Sequence, residues 1–222
     1  MKERMKKLWR DHGALLLAGV AVMLVHVAVG VVYWDRLPER IATHFDFHNE
    51  PDGWTGKAFT VFGMPLILLA LHGLCLVVSS LPGHALGSVS VKVQRMVYAI
   101  IPATSLLMTV TVYGYALGAT LDIGRIVWVF LGVVFAATGN YLPKMRRSRV
   151  MGIKLPWTLA DEDNWNRTHR MAGPVWVVCG AFLIVCGLAG CFSPFLPAAV
   201  IAAAVVVPTA YSFMLYRKSK RA

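Results

Sequence analysis

The residue types capable of chemistry gather in two polar islands. The first is "ATHFDFHNEPDGWTGK", residues 42–57, with two histidines and three carboxylates. Side chains alternate between faces in an extended segment. His44, Asp46 and His48 would then project together, opposite Thr43, Phe45 and Phe47. That spacing would suit zinc or copper. The competing reading is that these groups cap turns and bond backbone amides at a wet interface, and on that reading no metal is assigned. Pro51-Asp52-Gly53 is a turn signal: a fixed φ, a carboxylate that bonds nearby amides, and a permissive glycine. His44, Asp46, His48 and Asp52 are therefore the candidate ligand-binding residues of a folded loop.

The second island is "GNYLPKMRRSRVMGIKLPWTLADEDNWNRTHRMAG", residues 139–173. Asn140 and Pro143 end an apolar run. Gly152 and Pro156 punctuate a basic stretch that includes Lys154. Thr158 is then the expected N-cap of a helix, with Asp161 three residues on as a short-armed capping box. Asp161, Glu162 and Asp163 fall in the first turn, where the helix dipole favours negative charge. Asp163 can pair with Arg167 at i, i+4. Trp165 and His169 share a face one turn apart, and Arg170 follows. One reading is an interfacial helix, with Trp157 and Trp165 as headgroup anchors. The other is that residues 144–170 dock a cytoplasmic partner or fold back as a plug.

Other chemistries lack support. There is no H-E-x-x-H helix, no G-x-S-x-G elbow and no pair of intramembrane carboxylates. Cys75, Cys179, Cys186 and Cys191 show neither metal nor redox spacing. No catalytic residue and no cofactor is assigned.

The islands are set in a chain that is mostly oil. Of 222 residues, 57% are hydrophobic and 15% charged, against roughly a quarter charged in soluble domains. Six uncharged runs, 13–34, 58–81, 96–121, 126–142, 171–191 and 195–216, approach or exceed the length of about 20 helical residues that crosses a bilayer. All charged residues fall outside them, as the cost of a mid-membrane charge requires. The expected fold is an all-α bundle of six transmembrane helices, a single membrane domain over residues 1–222. It carries a small folded extracytoplasmic loop at 35–57 and a cytoplasmic interfacial helix within 139–173.

Charge placement sets the orientation. Of 22 basic residues, only Arg36, Arg40, Lys57 and Arg125 lie on one side of the spans; the remaining 18 lie on the other. By the positive-inside rule both termini are cytoplasmic. The net charge of +11 is thus an orientation signal, with anionic lipid as its partner, and no direct nucleic-acid contact is expected. The first run exceeds the usual apolar core of a signal peptide and lacks a small-x-small site, so it is expected to be retained. Within the membrane, His26 and His72 sit mid-span. An ionisable residue there is a functional candidate by default; the bland reading is that the two bond each other or a carbonyl. Gly114-x-x-x-Gly118 and the alanines from Ala198 to Ala204 are expected to let helices pack closely.

Together the islands resemble the SdpI family of bacterial membrane proteins, whose founder is a toxin-immunity and signalling protein. "LPERIATHFDFHNEPDGWTGK" is similar to the family's extracytoplasmic element, and residues 139–173 look like its cytoplasmic signature. Ala42 stands where the first motif prefers proline and Asn49 where it prefers glycine. Ser148 replaces an asparagine, Lys154 an arginine and Leu155 a threonine. The resemblance implies a multi-pass immunity or signalling protein of the bacterial cytoplasmic membrane. It would bind a secreted toxin peptide and hold a cytoplasmic transcriptional regulator. A transporter or flippase of a small amphiphile is the alternative, and an intramembrane enzyme a distant third.

Overall fold

The computed structural model describes residues 2–80, 91–148, 151–191, 193 and 195–220. Arg149, Arg221 and the last residue of the second apolar run lie outside them. The described residues form two compact units, the first from those within 2–80 and 95–127, the second from those within 91–94 and 128–220.

Six helical stretches among the described residues are long and apolar enough to cross a membrane. They are built on α1 (Lys2–Val32), α2 (Met64–Ser80), α3 (Val91–Met108), α4 (Ile123–Tyr141), α6 (Glu162–Ala189) and α7 (Phe195–Ser219), with a short α5 (Pro156–Ala160) before α6. Two strands, β1 (Arg40–Phe45) and β2 (Pro51–Gly56), pair antiparallel between α1 and α2. A π-helical turn, Phe59–Gly63, leads into α2, and another, Thr109–Tyr113, follows α3.

The helices do not stop where the apolar runs do. Helix α1 begins at Lys2 and α3 at Val91, because charged residues at a helix end can reach water without breaking the backbone ladder. The third run is cut short instead. Its helical geometry ends at Ala116, and Gly118 takes φ 87°, a left-handed conformation that glycine adopts without strain. The Gly118 amide bonds the Tyr115 carbonyl and the Ala119 amide that of Gly114. Nothing stands within 4 Å of a Cβ placed at Gly118. Gly118 is a helix stop, not the packing residue its spacing suggested.

The expected interfacial helix and the fifth span are one element. Helix α6 runs unbroken through both and closes at Gly190, φ 71°. There the amide of Cys191 reaches the Cys186 carbonyl and that of Gly190 reaches Gly187, the paired bonds of a Schellman stop.

Large aliphatic side chains such as Leu17, Leu24, Leu66, Leu74 and Val178 point outward, as a lipid-facing surface requires. In the first unit Leu37, Ile41, Val61, Val112 and Tyr113 pack together. In the second, Trp128, Cys179, Leu183, Cys186, Val200 and Ala204 do so, and the ring of Phe135 stacks on Trp176 at 4.9 Å. All four cysteines are free thiols. Within the alanine run, Ala204 is buried and its carbonyl accepts from Trp176 Nε1 at 3.0 Å.

Lipid offers no hydrophobic drive between helices, so small residues that let backbones touch carry the association. In the second unit these are Gly132 and Gly139 on α4, facing Gly180 and Gly173 on α6, at seven-residue spacing. A Cβ at Gly180 would lie 2.5 Å from Ala136 N and Gly132 O; one at Gly139 would lie 2.7 Å from Val177 N. Gly180→Ala is therefore expected to overpack the seam by about 1–3 kcal/mol and lower the thermal midpoint in detergent. Gly73→Ala, with nothing within 4 Å, should leave it unchanged. Equal midpoints for both variants would show that this seam is not the tight contact.

Candidate functional site

The first island is a hairpin on a fixed base. Ile41, fully buried on β1, joins the core beneath it. Lys57 closes the root: Nζ donates to the carbonyls of Leu37 at 3.2 Å and Trp34 at 3.4 Å, pairs with Glu39 at 2.7 Å, and sits 4.9 Å above the Trp34 ring. Its charge is thus distributed over four partners, although little of it reaches water. Thr55 of β2 meets Thr60 of the following π turn through their hydroxyls, 2.6 Å apart.

The tip is tied as well. Asn49 adopts φ 65°, as a residue standing for glycine must, and asparagine tolerates this region best among the others. Its side chain also reaches the start of α4. Oδ1 accepts from the amides of Ile123 at 2.8 Å and Gly124 at 3.2 Å, and Nδ2 donates to the Leu121 carbonyl at 3.1 Å. A residue 74 positions away thus caps α4's free amides.

The three residues of the suggested metal triad are not gathered on one face. Strand β1 ends at Phe45, and the pairing shifts register on both sides of His44. Asp46 belongs to the turn, where Oδ1 accepts from the amides of His48 and Glu50, both at 2.9 Å. His44 pairs instead with Asp52 across the hairpin. His48 is exposed. Among the described residues, no three His, Cys, Asp or Glu side chains converge as metal ligands. The His44–Asp52 pair is exposed, and so are Phe47 and Trp54, at 48% and 46%.

The second island packs around Trp165. This ring is fully buried, its Nε1 donates to the Met145 carbonyl at 2.9 Å, and it stacks on His169 with centroids 4.0 Å apart. The Ile153 amide donates to His169 Nε2 at 3.0 Å. The ring proton therefore sits on Nδ1, which meets the Trp165 carbonyl at 2.8 Å. Gly152, φ 108°, crosses this pair so closely that a Cβ would lie 2.5 Å from His169 Nε2.

Thr158 is not the N-cap. It lies inside α5, where its hydroxyl accepts from the Leu155 amide at 2.9 Å and lies 2.8 Å from the Ile153 carbonyl. Asp161 takes the capping role for α6, with Oδ1 accepting from the amides of Asp163 and Asn164. An aspartate outranks other residues there because its charge also meets the helix dipole. Trp157 docks on α7, donating from Nε1 to Ser212 Oγ at 2.8 Å and stacking on Tyr216. The Pro143 ring seats against Gly173. Arg167 pairs with Asp163 at 3.5 Å on the exposed rim. Asn140, Lys154 and Arg170 are exposed.

Sequence reasoning missed Asn164. It is buried, and its Oδ1 accepts from Ser212 Oγ at 2.9 Å and Thr168 Oγ1 at 3.1 Å while Nδ2 donates to the Ser212 carbonyl. Its available signal was its place between two tryptophan anchors, one turn before Thr168. Within the first unit, His26 and His72 do not bond each other. His26 Nδ1 lies 2.9 Å from Thr109 Oγ1 and Nε2 3.0 Å from the Thr60 carbonyl, with the ring 4.6 Å from Tyr113.

The SdpI/YfhL protein family matches residues 144–212, and a domain of unknown function (DUF1648) matches residues 21–69. The chain is 24% identical over 206 residues to the protein named Immunity protein SdpI of Bacillus subtilis (strain 168), covering 91% of this chain and 96% of that one. No solved structure matches it. The Trp165 cluster lies inside the first match, and nearly the full length of this multi-pass chain is similar to an SdpI protein.

Proposed function

We propose that this chain is an immunity-type protein of the bacterial cytoplasmic membrane, whose hairpin faces outward to bind or neutralise a secreted antimicrobial peptide. The observation that carries this reading is the hairpin's construction. Its root and tip are fixed to helices by Lys57, Thr55 and Asn49, while Phe47 and Trp54 are exposed, as are His44 and Asp52. A connector needs no such surface. Exposed aromatic anchors on a rigid base are what an amphipathic peptide requires, because ordering costs are already met before binding. The similarity to an immunity protein over nearly the whole length supports the same reading. The chain binds and does not catalyse.

For residues 144–170 the plug is favoured over a docking surface centred on Trp165 and His169, because both rings are buried. The surface left to a cytoplasmic regulator is the polar cleft lined by Asp161, Asp163, Arg167 and Lys218.

Three outcomes follow. With the native cysteines replaced, a cysteine at exposed His48 is expected to react with an impermeant thiol reagent in intact cells, and one at exposed Lys154 only after lysis. The reverse pattern would overturn the orientation. In a host challenged with a panel of secreted peptides, His44→Ala and Asp52→Ala are expected to lose protection without losing membrane insertion. Trp54→Ala is expected to weaken peptide binding by about 2 kcal/mol, roughly 30-fold. Full protection by all three variants would reduce the hairpin to a connector. Finally, Trp165→Ala is expected to cost about 3–5 kcal/mol of stability and to abolish protection with it. Arg167→Glu, on the exposed rim, should stay within about 0.5 kcal/mol and alter only regulator binding, read by thermal unfolding and co-purification.

A further inference from the structure

Along α1, His12, Gly19 and His26 recur every seven residues and share one face. Along α3 and its π turn, Tyr98, Ser105, Thr109 and Tyr113 form a matching stripe. The two stripes run side by side in register. The ring of His12 meets that of Tyr98 edge-on at 5.3 Å. A Cβ at Gly19 would lie 2.9 Å from Pro102 and 3.3 Å from His72 Nε2. His26 meets Thr109, and a Cβ at Gly30 would press on the Tyr113 hydroxyl. From Tyr98 to Tyr113 the seam rises about 22 Å at 1.5 Å per residue, most of a hydrocarbon layer of about 30 Å.

Polar groups in this seam are buried yet incompletely met by protein. His72 is 2% exposed with neither ring nitrogen bonded, Ser105 is 0% exposed with its hydroxyl unbonded, and the Tyr113 hydroxyl is likewise unbonded. An unsatisfied polar group is costly in an apolar medium. A buried polar space with several such groups is where ordered water belongs. Among the described residues, no carboxylate, lysine or arginine stands in the seam between His12 and His26. The nearest charges lie at its ends, Arg95 bonded to the Asp11 carbonyl at one and Lys57 at the other. Imidazole is the side chain that gains and loses a proton near neutral pH.

We propose that this seam is a water-holding proton path through the first unit, with His72 as its relay. A hydronium ion arriving along the water protonates neutral His72 at one ring nitrogen and is left as water, and the imidazolium then releases a proton from the other nitrogen to water further along. One proton enters and one leaves, and no electron or heavy atom is transferred. His26 closes the far end in this conformation. Both its nitrogens are occupied, so passage requires exchange of its bond to Thr109 or to the Thr60 carbonyl, from which the Thr60–Thr55 hydroxyl pair leads to the hairpin. Both bonds are made at π-helical turns, elements that recur at functional positions.

The test uses the full chain in phosphatidylethanolamine–phosphatidylglycerol liposomes loaded with a pH-sensitive dye, with a valinomycin-set potassium potential driving protons inward. Protein-dependent acidification is expected, falling about tenfold or more in His72→Phe, falling less in Ser105→Ala, and unchanged in the lipid-facing Leu74→Ala. Because His72→Phe could disturb packing, a second measurement reports water directly. In a background without native cysteines, Ser105→Cys should react with a small methanethiosulfonate reagent about tenfold faster than Leu106→Cys, since only a hydrated thiol ionises readily. Flux no greater than that of protein-free liposomes, full flux in His72→Phe, or equal labelling of the two cysteines would each overturn the path.

Discussion

The hydrocarbon layer supplies no hydrogen-bond partner, so a polar group within it must be met by the protein or by water held inside it. That constraint shapes the chain at every level. It confines the charged side chains to the helix ends and the segments between spans. It also decides which buried polar side chains can persist. His26 survives because a hydroxyl and a free carbonyl converge on its two nitrogens. Asn164 survives because Ser212 and Thr168 use its carbonyl oxygen while its amide returns a bond to α7. Lys57 survives at the root of the hairpin because two carbonyls, a carboxylate and an indole face share its charge.

The same constraint acts on helix ends, where backbone amides and carbonyls lose their partners. This chain meets them in two ways. Gly118 and Gly190 turn left-handed and fold the last amides back on the preceding turn. Asn49 and Asp161 supply side-chain oxygens to helix starts. The Asn49 cap is non-local, and that has a consequence. Displacing the hairpin tip would uncap α4 and leave the amides of Ile123 and Gly124 without that partner. The hairpin and the first unit's helices are mechanically one piece.

Much of this was legible in the residues. Six spans follow from uninterrupted apolar runs, but the expected turn does not hold: Pro51-Asp52-Gly53 lies in β2, paired with β1, and the chain reverses at Asp46–Glu50 instead, where Asp46 bonds the turn amides. What escaped were features set by tertiary contact. The extended pattern at 41–48 has period two in the sequence, yet Asp46 bonds two amides better as a turn residue than it would project from a strand, and the triad dissolves. Thr158 has the side chain of an N-cap, but Asp161 lies where the chain re-enters helical geometry and its charge suits the dipole. The Gly114–Gly118 pair had the familiar four-residue spacing, whereas the contacts that bring α4 to α6 use seven-residue spacing at Gly132, Gly139, Gly173 and Gly180. Local spacing cannot tell a glycine that admits a neighbour from one that stops a helix. Only the surrounding atoms do.

The departures from the family pattern can be placed in the same physical terms. Asn49 supplies the left-handed turn that glycine would and adds a cap that glycine could not. Ala42 is buried and pairs with Trp54 without needing proline's fixed angle. Ser148 is buried and accepts from the Met151 amide at 3.2 Å, a bond within reach of an asparagine side chain as well. Leu155 meets Thr158 through its backbone amide, so the side chain at that position is free to vary. Lys154 is different in kind. Its side chain is exposed, and lysine there offers a point charge where arginine would offer a bidentate fork. Of these five positions, Lys154 alone is exposed to water, and the other four are held at least partly inside the fold.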